Sequence, residues 1–151
     1  MISGGSLAYE IRSIFHAGIP QDFSGLGVVV YRGCFENLPV SPLLQKSEIE
    51  PAIDESACIA RFLLSVSRYS NIQHDGFHFI HELKGLTHVC QFVSPPIPPE
   101  HKPKQYEVGA RYRSAELTSL LDSINAVLVV ERNGNIRIFV NGMMTLLKHE
   151  A

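Results

Sequence analysis

Two short polar segments interrupt apolar runs, and both carry residue types suited to phosphoryl chemistry. The first is His74-Asp75-Gly76, immediately before the apolar stretch Phe77 to Ile80. A carboxylate on such a turn can hold Mg²⁺ or Mn²⁺ and polarise a hydroxyl for attack on phosphorus. Asp-Gly is also a common turn dipeptide, in which the carboxylate bonds only its own backbone. The second segment is Gly109-Ala110-Arg111-Tyr112-Arg113-Ser114, at the expected start of a helix. Free amides and the positive end of the helix dipole favour an anion there, and two guanidinium groups add bidentate donors for phosphate oxygens. The plainer alternative is that both arginines are solvated and point apart.

Other arrangements are poorer in chemistry. His74, His78 and His81 cluster in sequence, but strand alternation sends His78 and His81 to opposite faces, which disfavours a shared metal. Cys34, Cys58 and Cys90 are far apart, odd in number and flanked by apolar residues, as expected of reduced thiols rather than of disulfides or a zinc site. No Gly-rich phosphate loop of the Walker kind and no hydrolase triad can be recognised.

The elements that must position these segments follow from periodicity. Apolar residues at Leu7, Ala8, Ile11, Ile14 and Phe15 predict an amphipathic helix over residues 7–17, stopped by Gly18 and Pro20. Gly27 to Tyr31 reads as a strand buried on both faces. Residues 37–51 read as a loop, and residues 54–68 as a second helix with Asp54 as its cap. Phe77 to Ile80 and Leu86 to Val93 form a hairpin around Gly85. The proline-rich stretch Pro95 to Pro99 is an extended loop. Residues 114–121 predict a third helix. Asn125 to Val130 and Ile136 to Val140 form a second hairpin around Asn133-Gly134, and residues 143–151 read as a tail. Helices and strands interleave without repeats. The expected fold is therefore α/β, a single domain over residues 1–151 with a mixed central sheet flanked by helices.

Composition agrees: 151 residues, 45% hydrophobic and 19% charged, suit one domain with a real core. A net charge of −2 gives no overall basic field, so direct nucleic-acid binding is not expected and a polyanionic ligand needs a local basic site. No apolar run reaches the length of a membrane span, and the N-terminus lacks signal-peptide character. A cytoplasmic protein with no membrane partner is the expectation.

Taken together and in order, these segments resemble the diadenylate cyclase domain found in the DNA-integrity-scanning protein and in membrane-bound cyclases. That family carries an Asp-Gly-Ala turn before an apolar strand, a proline-containing loop, Gly-Thr-Arg-His-Arg-Ala-Ala at a helix start, then a strand and a Ser-Glu-Glu-X-Gly hairpin. The matching stretches here are His74 to Phe77, Pro95 to Pro99, Gly109 to Ala115 and Val127 to Gly134, and the resemblance spans residues 7–142. It implies that two ATP molecules are condensed into cyclic di-AMP and pyrophosphate, with Mg²⁺ or Mn²⁺, at a face-to-face homodimer or within a higher homo-oligomer. It further implies that Asp75 is catalytic and binds the metal, with Glu131 as a second metal ligand. Gly76, Phe77, Gly109, Arg111, Tyr112 and Arg113 would bind nucleotide and phosphates.

This chain departs from the family pattern at four places. Phe77 stands for alanine, with bulk that would narrow the nucleotide pocket. Tyr112 stands for histidine and Ala110 for threonine. The Ser-Glu-Glu stretch reads Val130-Glu131-Arg132, so its second acid has become a base, which should lower metal affinity. These changes leave two other functions in view: a degenerate domain that binds ATP or a cyclic dinucleotide in a regulatory role, and a related transferase with another nucleotide or product.

Overall fold

The computed structural model describes residues 1–150. Its frame is a mixed sheet of eight strands: β1 (Leu26–Tyr31), β2 (Val40–Pro42), β3 (Glu48–Ile53), β4 (Phe77–His81), β5 (Gly85–Val93), β6 (Ile124–Val130), β7 (Ile136–Val140) and β8 (Met143–Leu147). The strand order is β2-β5-β4-β1-β6-β7-β8, with β3 also paired to β5. Among the described residues only β1 and β4 run parallel, with Gly27 opposite Phe77 and Tyr31 opposite His81. Every residue of these two strands is buried, because helices or loops cover both faces.

Side-chain alternation divides the core in two. Leu26, Val28 and Val30 of β1, Ile80 of β4 and Leu128 of β6 face α1 (Gly4–Phe15) and α2 (Ser56–Val66). Val29, Phe79, Val127 and Phe139 face the other way, together with Ala115 of α3 (Ala110–Thr118). The crossover from β1 to its parallel neighbour β4 passes through α2, as a parallel pair requires.

The mixed α/β architecture expected from periodicity is present, with corrections at element ends and edges. Helix α1 starts at Gly4, where Ser3 and Ser6 form a reciprocal capping box. The N-cap of α2 is Glu55, not Asp54, and no side chain caps it. Helix α3 spans Ala110–Thr118, so it begins four residues before Ser114 and takes in both arginines. The segment read as a loop, 37–51, contains β2 and most of β3, short edge strands whose Pro, Ser and Glu content masked them. The expected tail holds β8, which returns along β7 through Asn141-Gly142, both at positive φ (49° and 81°), as a tight hairpin requires.

His78 lies on buried β4 and decides part of the pH behaviour. Its Nδ1 accepts the backbone N–H of Cys90 at 3.1 Å, so the neutral ring carries its proton on Nε2. Burial, reinforced by the positive charge of Arg111, pushes its pKa from 6.5 down to about 4. A folded-state pKa below the unfolded one means that the unfolded chain binds the extra proton. The associated stability is complete above about pH 6.5 and is lost as pH falls towards 4, by about 1.4 kcal/mol for each pH unit. We expect chemical denaturation to show this loss and His78→Gln to flatten it. An unchanged slope in that variant would assign the acid sensitivity elsewhere.

Candidate functional site

The N-terminal ends of β1 and β4 and the C-terminal end of β6 meet at one end of the sheet, where the start of α3 lies across them. A cleft of about 530 Å³ opens there, between the 105–109 loop, α3, Ser24-Gly25 and the β6–β7 turn. A smaller cleft of about 270 Å³ adjoins it and contains Asp75, Gly76 and Phe77. Arg111 lines both.

The start of α3 has no side-chain cap. Its N-cap is Gly109, which offers no side chain to the first amides, and the first turn contains no acid. Such amides, at the positive end of the helix dipole, are of the kind that attracts negative charge. Arg111 is half-buried, and a Cβ on Gly25 would come within 2.8 Å of its Nη1. The glycine therefore makes room for the guanidinium. Burial lowers the pKa of Arg111, and the charge of Asp75 partly counters this. Among the described residues Arg111 forms no ion pair closer than 4 Å. A half-buried cation without a bonded counter-ion is costly unless a ligand supplies the charge.

Asp75 follows a 3₁₀ turn (Ile72–His74), is exposed, and accepts the Gly76 N–H on Oδ1 at 2.9 Å. The self-bonded turn is thus real, yet Oδ2 makes no bond among the described residues. Gly76 has φ of +81°, and a Cβ there would meet the Gln91 carbonyl oxygen at 2.8 Å, so this turn requires glycine. The Phe77 ring lies over Gly27, its register partner on β1, where a Cβ would approach it to 2.8 Å. Its bulk is thus largely taken into the core rather than projected into the larger cleft.

Tyr112 lines the larger cleft, packed edge-on against Phe139 at 4.9 Å, with the Arg137 guanidinium 5.5 Å from its ring centre. Arg113 turns away. It bonds the buried carboxylate of Glu116 at 2.6 Å and the carbonyl oxygen of Gln105 at 2.5 Å, tying α3 to the cleft wall. Glu131 lines the cleft, but its Oε1 lies 3.3 Å from Arg137 Nε. No group of three His, Cys, Asp or Glu side chains gathers to hold a metal among the described residues.

Of the residues expected at the site, Asp75, Gly76, Phe77, Gly109, Arg111, Tyr112 and Glu131 line two joined clefts, whereas Arg113 lines neither and bonds Glu116 and the Gln105 carbonyl. Sequence reading missed Gly25 and Arg137. The signal for Gly25 was Ser24-Gly25 directly before a β-branched strand; that for Arg137 was a lone base within an apolar strand. In the larger cleft Arg111, Arg132 and Arg137 face Glu107 and Glu131, a local positive excess on a chain of net charge −2.

Among the described residues no helix is long and apolar enough to cross a membrane. No family model matches the chain, and no curated protein does. Solved structures do. A hypothetical membrane spanning protein from Bacillus cereus superposes with a TM-score of 0.67 at 20% identity, covering 95% of this chain and 63% of that one. A double cysteine mutant of DacA from Staphylococcus aureus gives a TM-score of 0.59 at 16% identity, covering 94% of this chain and 83% of that one. This chain thus spans under two thirds of the Bacillus cereus protein, and at such identities the likeness is one of fold: a mixed α/β domain similar to that of DacA.

Proposed function

We propose that this chain is a nucleotidyltransferase of the diadenylate cyclase type, which joins two ATP molecules into cyclic di-AMP. The observation that carries this reading is Arg111, a half-buried cation without an ion pair among the described residues, at the uncapped start of α3, between the Asp75 cleft and the larger one. The likeness in fold to DacA supports it. In each of two equivalent steps a 3′-oxygen forms a bond to the α-phosphorus of the opposing ATP. The bond from that phosphorus to the β-phosphate bridge breaks, and pyrophosphate leaves.

In this scheme Arg111 and the α3 amides hold phosphate oxygens and stabilise the charge that builds on them. Asp75 approaches the attacking hydroxyl and draws off its proton. Its free Oδ2 also fits one ligand of Mg²⁺ or Mn²⁺, with phosphates and water completing the shell, as is usual for hard cations at nucleotides. Such an ion would supply charge neutralisation there. Tyr112 and Gly109 shape the cleft, and Arg113 fixes its wall through Gln105.

The test is incubation of purified protein with ATP and Mn²⁺ or Mg²⁺, with products read by mass. Cyclic di-AMP upholds the reading; no product containing two adenylates overturns it. A second reading, a module that binds ATP or a cyclic dinucleotide without turnover, is favoured by one feature: Glu131 and Arg113 are both engaged in ion pairs within the chain. ATP binding without product would select it.

Cyclisation makes a further demand. One chain carries one Asp75 and one Arg111, half of what two reciprocal attacks need, so the active unit is a two-fold dimer with an isologous contact. Two triphosphates brought together repel, and the free dimer is expected to be weak and to be bridged by ATP. Cyclic di-AMP output per subunit should therefore fall on dilution, in step with mass measured by light scattering. Constant output from a strict monomer rules the dimer mechanism out.

A further inference from the structure

The larger cleft contains a cation that the scheme above leaves idle. Arg132 stands on the turn between β6 and β7, and its guanidinium carbon lies 5.2 Å from the centre of the Tyr69 ring. The backbone that carries this ring is anchored. The Tyr69 N–H donates to the Asp22 carbonyl, and the preceding Arg68 pairs with the Asp22 carboxylate at 2.7 Å. The ring also meets His74, next to Asp75, with ring centres 5.8 Å apart. Tyr69, itself about half exposed, thus lies beside both Arg132 and the turn that carries Asp75.

A guanidinium held over an aromatic face keeps its N–H groups available for an acceptor, and being delocalised it is more weakly hydrated than an ammonium. Among the described residues Arg132 forms no ion pair, whereas Arg137 in the same cleft pairs with Glu131. Two unpaired guanidinium groups, Arg111 and Arg132, therefore line one cavity together with the free amides of α3. A ligand with several adjacent negative groups satisfies both.

We propose that Arg132, held over Tyr69, is a second polyphosphate-recognition group that with Arg111 lets this cleft bind a nucleoside triphosphate without a divalent cation. The inference rests on the reading of the cleft as a nucleotide site and deepens it. Arg132 is exposed, so its replacement does not threaten the fold, which thermal melting checks.

The experiment is calorimetric titration of the intact chain with ATP and with inorganic tripolyphosphate, both in EDTA. Wild-type protein is expected to bind both. Arg132→Glu should weaken both by at least about tenfold, since charge-assisted bonds are lost and a repulsion is added. Arg132→Lys and Tyr69→Leu should each lose about three- to fivefold, one keeping charge without the planar fork, the other removing the aromatic face. If Arg132→Glu binds like wild type while Arg111→Gln does not, the cleft reading stands and Arg132 is a solvated surface base. If wild type binds neither ligand in EDTA but binds ATP with Mn²⁺, metal-free recognition is overturned alone. Failure in both conditions overturns the nucleotide reading as well.

Discussion

Asp75→Asn is expected to make no cyclic di-AMP while keeping its fold. The substitution is nearly isosteric, and the asparagine oxygen can still accept the Gly76 N–H that Asp75 accepts at 2.9 Å. Asp75 is exposed and enters no ion pair among the described residues, so stability should move by less than ~1 kcal/mol. What changes is charge. An amide neither takes a proton from a 3′-hydroxyl nor attracts a divalent ion, and loss of a positioned base alone lowers rates by about 10²- to 10⁴-fold. The measurement is product by mass over long incubations, with melting curves of both proteins alongside. Wild-type turnover in Asp75→Asn would leave Asp75 as a turn residue only.

Arg111→Gln is expected to separate binding from stability. Losing the guanidinium removes the charge-assisted donors at the start of α3, and ATP binding should weaken by more than ~1.5 kcal/mol, over tenfold. The folded protein should not suffer to match. Burial already works against the charged form of Arg111, and it has no bonded counter-ion among the described residues to lose. A shorter, neutral polar side chain relieves that desolvation, so the melting temperature should hold or rise, as is common where a site is kept charged for function. Arg111→Lys should recover binding only in part, because one ammonium cannot span two oxygens as the planar fork does. Normal ATP affinity in Arg111→Gln would show a cation serving something other than phosphate, and a sharp loss of stability would show a structural strut.

Arg113 illustrates how far spacing carries. Two arginines at i and i+2 on a helix point about 200° apart, given 3.6 residues per turn. Arg111 faces the sheet end and the clefts, while Arg113 reaches Glu116 and the Gln105 carbonyl. Glu116 could not be singled out in advance, because nothing local distinguishes a buried acid from a solvated one. The same holds for Glu131, whose partner Arg137 arrives from the neighbouring strand.

What the sequence determined by itself is the alternation of helices and strands, the two-sided burial of β1 and the two central hairpins. These rest on local periodicity and turn residues, which act over a few positions of chain. Tertiary structure alone decided the rest. The edge strands β2, β3 and β8 exist because β5 and β7 offer unpaired backbone groups, not because their own residues demand it. Arg111 became a shared wall of two clefts because Gly25 and the Asp75 turn, far from each other and from α3 along the chain, meet it at one end of the sheet. Charge and burial at a site are sums over neighbours from distant segments, and only the fold brings those neighbours together.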